Sequence, residues 1–136
     1  MRILVFGASG GTGTRFVEQA LADGHQVTAF VRDSARAGNP HPNLTPFGGD
    51  VLDAAAVDQA MSGHDAVVSL LGPARPTVPA MMETAAMNIV AAMQKHGVRR
   101  LISTTGAGVR DPQDRPKLLD HFMKTALTLM AGAVLR

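Results

Sequence analysis

The chain contains no cysteine, no tryptophan and no tyrosine. Without cysteine there is no disulfide framework and no thiolate chemistry, which points to an intracellular, cytoplasmic setting. Without tyrosine, a mechanism that needs a phenol as general acid is excluded for these residues. Aromatic side chains make up 4% of the sequence, all of them phenylalanine, too few for platforms that stack single-stranded bases. Charge is scarce as well: 13 basic against 11 acidic side chains leave a net charge of +2. The basic residues are scattered, with only Arg99 and Arg100 adjacent, so no nucleic-acid-binding surface is expected. No apolar run reaches the 18 residues of a bilayer span, and no membrane association is expected. The opening Met1–Gly7 is too short an apolar run for a signal peptide. Histidines 25, 41, 64, 96 and 121 have no ligand-like spacing, so no metal site is expected.

What is present is a globular composition. Hydrophobic residues at 46% and charged residues at 18% exclude a disordered chain or a polyelectrolyte. A length of 136 residues fits one domain, residues 1–136, with a sizeable core. Short apolar runs alternate with stretches of helical period. Ile3–Phe6 is a continuous β-rich run, as in a strand buried on both faces. A helix is predicted over 12–22, with Phe16, Val17, Ala20 and Leu21 on one face and Gly24 as its stop. Gln26–Val31 and Leu44–Phe47 read as the second and third strands. Asp53 caps a short helix carrying Ala56, Val57, Ala60 and Met61, which Gly63 ends. Ala66–Leu71 reads as a fourth strand and Arg100–Thr104 as a fifth. Between them the longest helix runs over 79–96. Its Met82, Ala85, Ala86, Ile89, Val90 and Met93 repeat at helical spacing, the pattern of a core-facing stripe. Strands separated by helices imply a parallel sheet with right-handed crossovers. The expectation is an α/β, Rossmann-type doubly wound fold with strand order 3-2-1-4-5.

The strongest motif is Gly7-Ala8-Ser9-Gly10-Gly11-Thr12-Gly13, directly after the first strand and opening the first helix. In that context Gly7 permits the tight turn, Gly10 admits a pyrophosphate and Gly13 lets the helix pack against the sheet. The free N–H groups and positive dipole end of the helix then face the phosphates, with the Ser9 and Thr12 hydroxyls as added donors. No Gly-Lys-Ser/Thr follows the turn, which excludes a P-loop. The second strand ends in Arg32-Asp33-Ser34-Ala35-Arg36. A guanidinium fork suits a phosphate, so Arg32, Arg36 and Ser34 can form a 2′-phosphate pocket, and NADP is expected over NAD. A second reading keeps Asp33 as the ribose carboxylate and leaves the arginines to solvent. Asp50, after the third strand, can accept from the adenine amino group or sit in a plain surface turn. Leu71-Gly72-Pro73 brings backbone beside the inner ribose, and Ser103-Thr104-Thr105-Gly106 ends where a nicotinamide ring would lie. These ends share the crevice at the carboxyl edge of the sheet.

Together these stretches resemble the atypical short-chain dehydrogenase/reductase superfamily. They are most similar to its NADP-binding group of flavin (biliverdin-IXβ) reductase and bacterial NmrA-like proteins. The matching stretches are Ile3–Gly13, Val27–Arg32, Gly49–Asp53, Asp65–Gly72, Asn88–Val98 and Leu101–Thr105. The resemblance implies NADP contacts at Gly7, Ser9, Gly10, Gly11, Thr12, Gly13, Arg32, Arg36, Asp50, Val51, Leu71, Gly72 and Thr105. Two departures stand out. The Tyr-x-x-x-Lys pair of many members is absent, although Lys124 is present, and Gly106 stands where flavin reductase has a serine.

The resemblance implies NADPH-dependent reduction of a flavin, quinone or similar planar acceptor, with no catalytic residue assigned. The alternative is a non-catalytic NADP sensor that acts through a protein partner. A sugar-nucleotide epimerase stands further off, since it too normally needs the missing tyrosine. Leu118–Arg136 reads as one apolar-rich helix that stops abruptly. Related chains continue into a further strand and a substrate-binding segment, so an incomplete fold is expected, or a homodimer through that helix.

Overall fold

Every residue from Ile3 to Phe6 is buried, which puts this run at the middle of a sheet. In the computed structural model, which describes residues 1–72 and 80–104, it belongs to β1 (Arg2–Phe6). After it come α1 (Gly11–Ala22), β2 (Gln26–Val31), a single 3-10 turn (Ser34–Arg36) and β3 (Leu44–Gly48). Then follow α2 (Ala54–Met61), β4 (Ala66–Ser69), α3 (Met81–His96) and β5 (Leu101–Ser103). All of these lie in the first of the two units into which the chain divides, Met1–Thr104 and Thr105–Arg136. Thr105, Gly106, Lys124, the helix expected over 118–136 and any homodimer through it lie outside the described residues.

The expected topology is observed. The five strands are all parallel and run in the order β3-β2-β1-β4-β5. Side chains alternate across a strand, so β1 divides itself between two cores. Ile3 and Val5 join Val17 and Ala20 of α1, Val27, Ala29 and Val31 of β2, and Val68 of β4. Leu4 and Phe6 join Phe30, Val67, Val57 and Met61 of α2, and Ile89 and Met93 of α3. On this second face the Phe6, Phe30 and Phe47 rings step across three strands, with centroids 4.8 and 5.5 Å apart. Asp53 accepts from Ala55 N–H at 2.9 Å and so starts α2 as expected. Asp58 of α2 takes Lys95 Nζ at 2.7 Å and His96 Nε2 at 2.9 Å, tying α2 to the end of α3.

Three local readings change. β4 ends at Ser69 instead of Leu71. Leu70 N–H still donates to the Phe6 carbonyl at 2.9 Å, but the next residue alongside is Gly7, which turns away at φ +78° and leaves the ladder no partner. In α3 the buried residues are Ala85, Ile89, Ala92 and Met93, whereas Met82 and Val90 are 41% and 42% exposed. The helix carries two apolar lines, and only one of them meets the sheet. Leu101 and Ile102 are also exposed. Among the described residues β5 pairs with β4 alone, so it has no second strand beside it there.

Candidate functional site

In a parallel sheet every strand ends on the same edge, and the turns that leave this edge carry most of the expected site. The sharpest is the one between β1 and α1. Gly7 sits at φ +78°, and a Cβ there would lie 2.6 Å from the Leu70 carbonyl oxygen. A Cβ on Gly13 would overlap the Gly7 carbonyl oxygen and come within 2.8 Å of Ala8. These two glycines are demanded by the fold itself. Gly10 and Gly11 are different. Both are exposed; a Cβ on Gly10 would make only an ordinary contact, 3.4 Å from the Gly7 carbonyl oxygen, and one on Gly11 would meet nothing within 4 Å among the described residues.

The turn is closed by Gly10 N–H donating to Gly7 O at 3.1 Å and Thr14 N–H to Gly10 O at 2.8 Å. The N–H groups of Gly11, Thr12 and Gly13 have no hydrogen-bond partner among the described residues. No side chain caps α1, and no acidic residue occupies its first turn. The positive end of a twelve-residue helix therefore opens onto a rim of glycines with the exposed Ser9 and Thr12 beside it, a geometry that receives an anion.

Beyond β2, Arg32, Asp33, Ser34 and Arg36 are all exposed. Asp33 Oδ1 accepts from Ala35 N–H at 3.0 Å and caps the 3-10 turn, so one carboxylate oxygen is already engaged in local structure. Neither Arg32 nor Arg36 forms an ion pair among the described residues. Beyond β3, Gly49 N–H donates to Val31 O at 2.9 Å, and Asp50 Oδ1 accepts from Leu52 N–H at 3.0 Å. Val51 packs half-buried against the α2–α3 core. Its carbonyl accepts from Asn88 Nδ2 at 2.9 Å, a contact from α3 that sequence reasoning missed. The available signal was a polar residue set among Ala85, Ile89 and Ala92 on the buried side of a helix. Beyond β4, Leu71 is half-buried against the same core and Gly72 is exposed. The fold thus brings the turns bearing Gly7–Gly13, Arg32, Arg36, Asp50, Val51, Leu71 and Gly72 to one edge of the sheet.

The perturbed carboxylates lie elsewhere. Hydrogen bonds from Lys95 and His96 hold the Asp58 carboxyl below the usual carboxylate range. The Arg2 N–H and guanidinium do the same for Asp65 at the opposite edge of the sheet. Among the described residues no three metal-ligating side chains come together, and no described helix is long and apolar enough to cross a membrane. A cavity of about 310 Å³ on the flank of α1, lined by Val17, Leu21, Ala37, Pro40 and Leu44, includes none of the expected site residues.

The sequence pattern of the NAD(P)H-binding family matches residues 7–133. The chain belongs to that family. It is 36% identical over 113 residues to an N-acetyl-α-D-glucosaminyl-diphospho-ditrans,octacis-undecaprenol 4-epimerase of Escherichia coli O157:H7, covering 79% of this chain and 33% of the epimerase. It is 32% identical over 140 residues to a 3-diazoavenalumate denitrifying reductase of a Streptomyces species, covering 87% of this chain and 42% of the reductase. Among solved structures, ChuY, an anaerobillin reductase from Escherichia coli O157:H7, superposes with a TM-score of 0.70 at 26% identity. That match covers 98% of this chain and 62% of ChuY. The chain therefore spans about a third to two fifths of the curated relatives and about three fifths of the solved reductase. These likenesses agree with the atypical short-chain dehydrogenase/reductase resemblance: an NAD(P)-binding Rossmann-type family with oxidoreductase and epimerase relatives.

Proposed function

We propose that the chain binds NADP(H) across the carboxyl edge of its sheet and serves the reduction of a planar acceptor such as a flavin or quinone. The observation that carries this reading is the contrast within the glycine turn. Gly7 and Gly13 are imposed by packing, whereas a Cβ on Gly10 would make only an ordinary contact and one on Gly11 would meet open space among the described residues. Glycine at a helix start that packing does not require is a conformational cost, and room for a pyrophosphate accounts for it.

In this reading the N–H groups of Gly11, Thr12 and Gly13, with the Ser9 and Thr12 hydroxyls, hold the pyrophosphate. Arg32 and Arg36 hold a 2′-phosphate, which favours NADP over NAD; the other reading gives Asp33 to a ribose through Oδ2, since its Oδ1 is taken by Ala35 N–H. Asp50 and Val51 border the adenine, Leu71 and Gly72 the inner ribose, and Thr105 the nicotinamide end. When bound, the reduced nicotinamide supplies a hydride, and the protein supplies orientation and a dry pocket. The reductase relative and ChuY support a reductive role. The missing tyrosine weighs against an epimerase mechanism run by these residues, although one curated relative is an epimerase.

Calorimetric titration with NADPH and NADH, followed by steady-state NADPH oxidation with FMN and with a quinone, tests the proposal. Binding with turnover is the expected result. Binding without turnover of any acceptor replaces the reductase with the NADP-sensing alternative, and no binding at all overturns the proposal.

A further inference from the structure

The loop between β3 and α2 is held at several points. Gly49 N–H reaches back to Val31 O on β2, and Asp53 N–H closes onto Asp50 O at 3.0 Å. Asp50 Oδ1 is taken by Leu52 N–H. Each of these bonds joins the loop to itself or to the neighbouring strand. Among the described residues, the one hydrogen bond that reaches it from α3 is Asn88 Nδ2 to the Val51 carbonyl, at 2.9 Å across 37 residues of sequence. In the same stretch, Asp50 Oδ2 and the Val51 N–H have no partner among the described residues. An acceptor and a donor on adjacent groups match the amino group and N1 of adenine, which present a donor beside an acceptor.

We infer that Asn88 is a positioning residue for base recognition: its amide fixes the Val51–Leu52 peptide, whose Leu52 N–H holds Asp50 Oδ1, so that Asp50 Oδ2 is set beside the Val51 N–H as an acceptor–donor pair for adenine. The inference rests on the dinucleotide reading above and extends it to a residue on a different element. Asn88 does not touch the base. It restrains the Val51–Leu52 peptide that orients the Asp50 carboxylate, and a hydrogen-bonding pair aligned in advance discriminates better than one that must be aligned on binding.

The test uses a dinucleotide whose base has the pattern inverted. Hypoxanthine carries an acceptor at position 6 and a donor at N1, so it leaves the Asp50–Val51 pair unsatisfied. Wild-type protein is expected to bind NADPH about tenfold or more tightly than its hypoxanthine analogue, since unpaired polar groups are costly. In Asn88→Ala, which keeps a strong helix former in α3, that preference is expected to fall to about twofold, mostly through weaker NADPH binding. Asn88→Ser, too short to reach the carbonyl, serves as the second variant, and thermal unfolding of each confirms the fold. An undiminished preference in both variants overturns the inference while leaving the dinucleotide reading intact. So does an equal loss for both dinucleotides, which would make Asn88 a structural residue only. A wild-type protein that binds neither dinucleotide overturns the reading and the inference together.

Discussion

The Phe30 ring lies against Gly49 so closely that a Cβ on the glycine would sit 2.8 Å from Cζ and 3.2 Å from the Ala56 Cβ. The ring has little freedom to yield, because Phe6 and Phe47 flank it at 4.8 and 5.5 Å. Gly49 is thus where the aromatic core meets the loop that carries Asp50 and Val51. Gly49→Ala is expected to destabilise the protein by about 1–3 kcal/mol through overpacking, read by urea unfolding. An unchanged midpoint would show that the ring moves aside freely.

The glycine turn separates folding from binding. Gly13→Ala drives a methyl group into the Gly7 carbonyl and is expected to cost about 3 kcal/mol of stability. Gly11→Ala meets open space and is expected to leave stability unchanged or raise it by about 0.5 kcal/mol. On the proposed reading it still weakens NADPH binding about tenfold, because its methyl group enters the pyrophosphate's space. Unimpaired binding by Gly11→Ala would remove the turn from the site.

Arg32 tests the choice of cofactor. Its replacement by alanine is expected to weaken NADP binding about tenfold or more, the worth of one charge-assisted hydrogen bond, with little effect on NAD. Calorimetry showing equal losses for both dinucleotides would count against a 2′-phosphate role.

The Asp58 contact predicts a pH dependence. Its folded-state pKa lies below the ordinary value of 3.8, so the unfolded chain takes up the proton first as the solution is acidified. The stabilisation is full above that ordinary value and is lost as the pH falls through the folded one. Wild type is expected to outlast Asp58→Asn in urea by a constant margin above about pH 5 and to lose the margin on further acidification. Lys95 is exposed and Asp58 half-buried, so salt reduces it too. A margin that grows toward low pH would contradict the assignment.

The strands were legible because apolar runs such as Ile3–Phe6 can satisfy both faces of a sheet in only one kind of place. The glycine turn was legible because its spacing follows from two steric contacts, Gly7 on Leu70 and Gly13 on Gly7. What periodicity could not supply was the choice between two apolar lines on one helix. Met82, Ala86 and Val90 lie along one, Ala85, Ile89 and Ala92 along the other, and the sheet decides which is covered. Nor could it supply Asn88, whose partner is a main-chain carbonyl 37 residues away, a group that every residue possesses. At Asp33 and Asp50 the residue type suggested ligand contacts, yet each gives one oxygen to a backbone N–H two residues on, a use that short acidic side chains favour in turns.

The connection from β2 to β3 runs over residues 32–43, and its exposed stretch Arg32–Arg36 is followed at once by the buried Ala37. No side chain from Arg32 to Arg36 belongs to either core. A change of charge at Arg32 and Arg36 is expected to leave the strands on either side in register, with Asp33 still capping the turn. On the proposed reading, cofactor preference in this chain is therefore a detachable trait, written in five residues that the packed interior leaves free to vary.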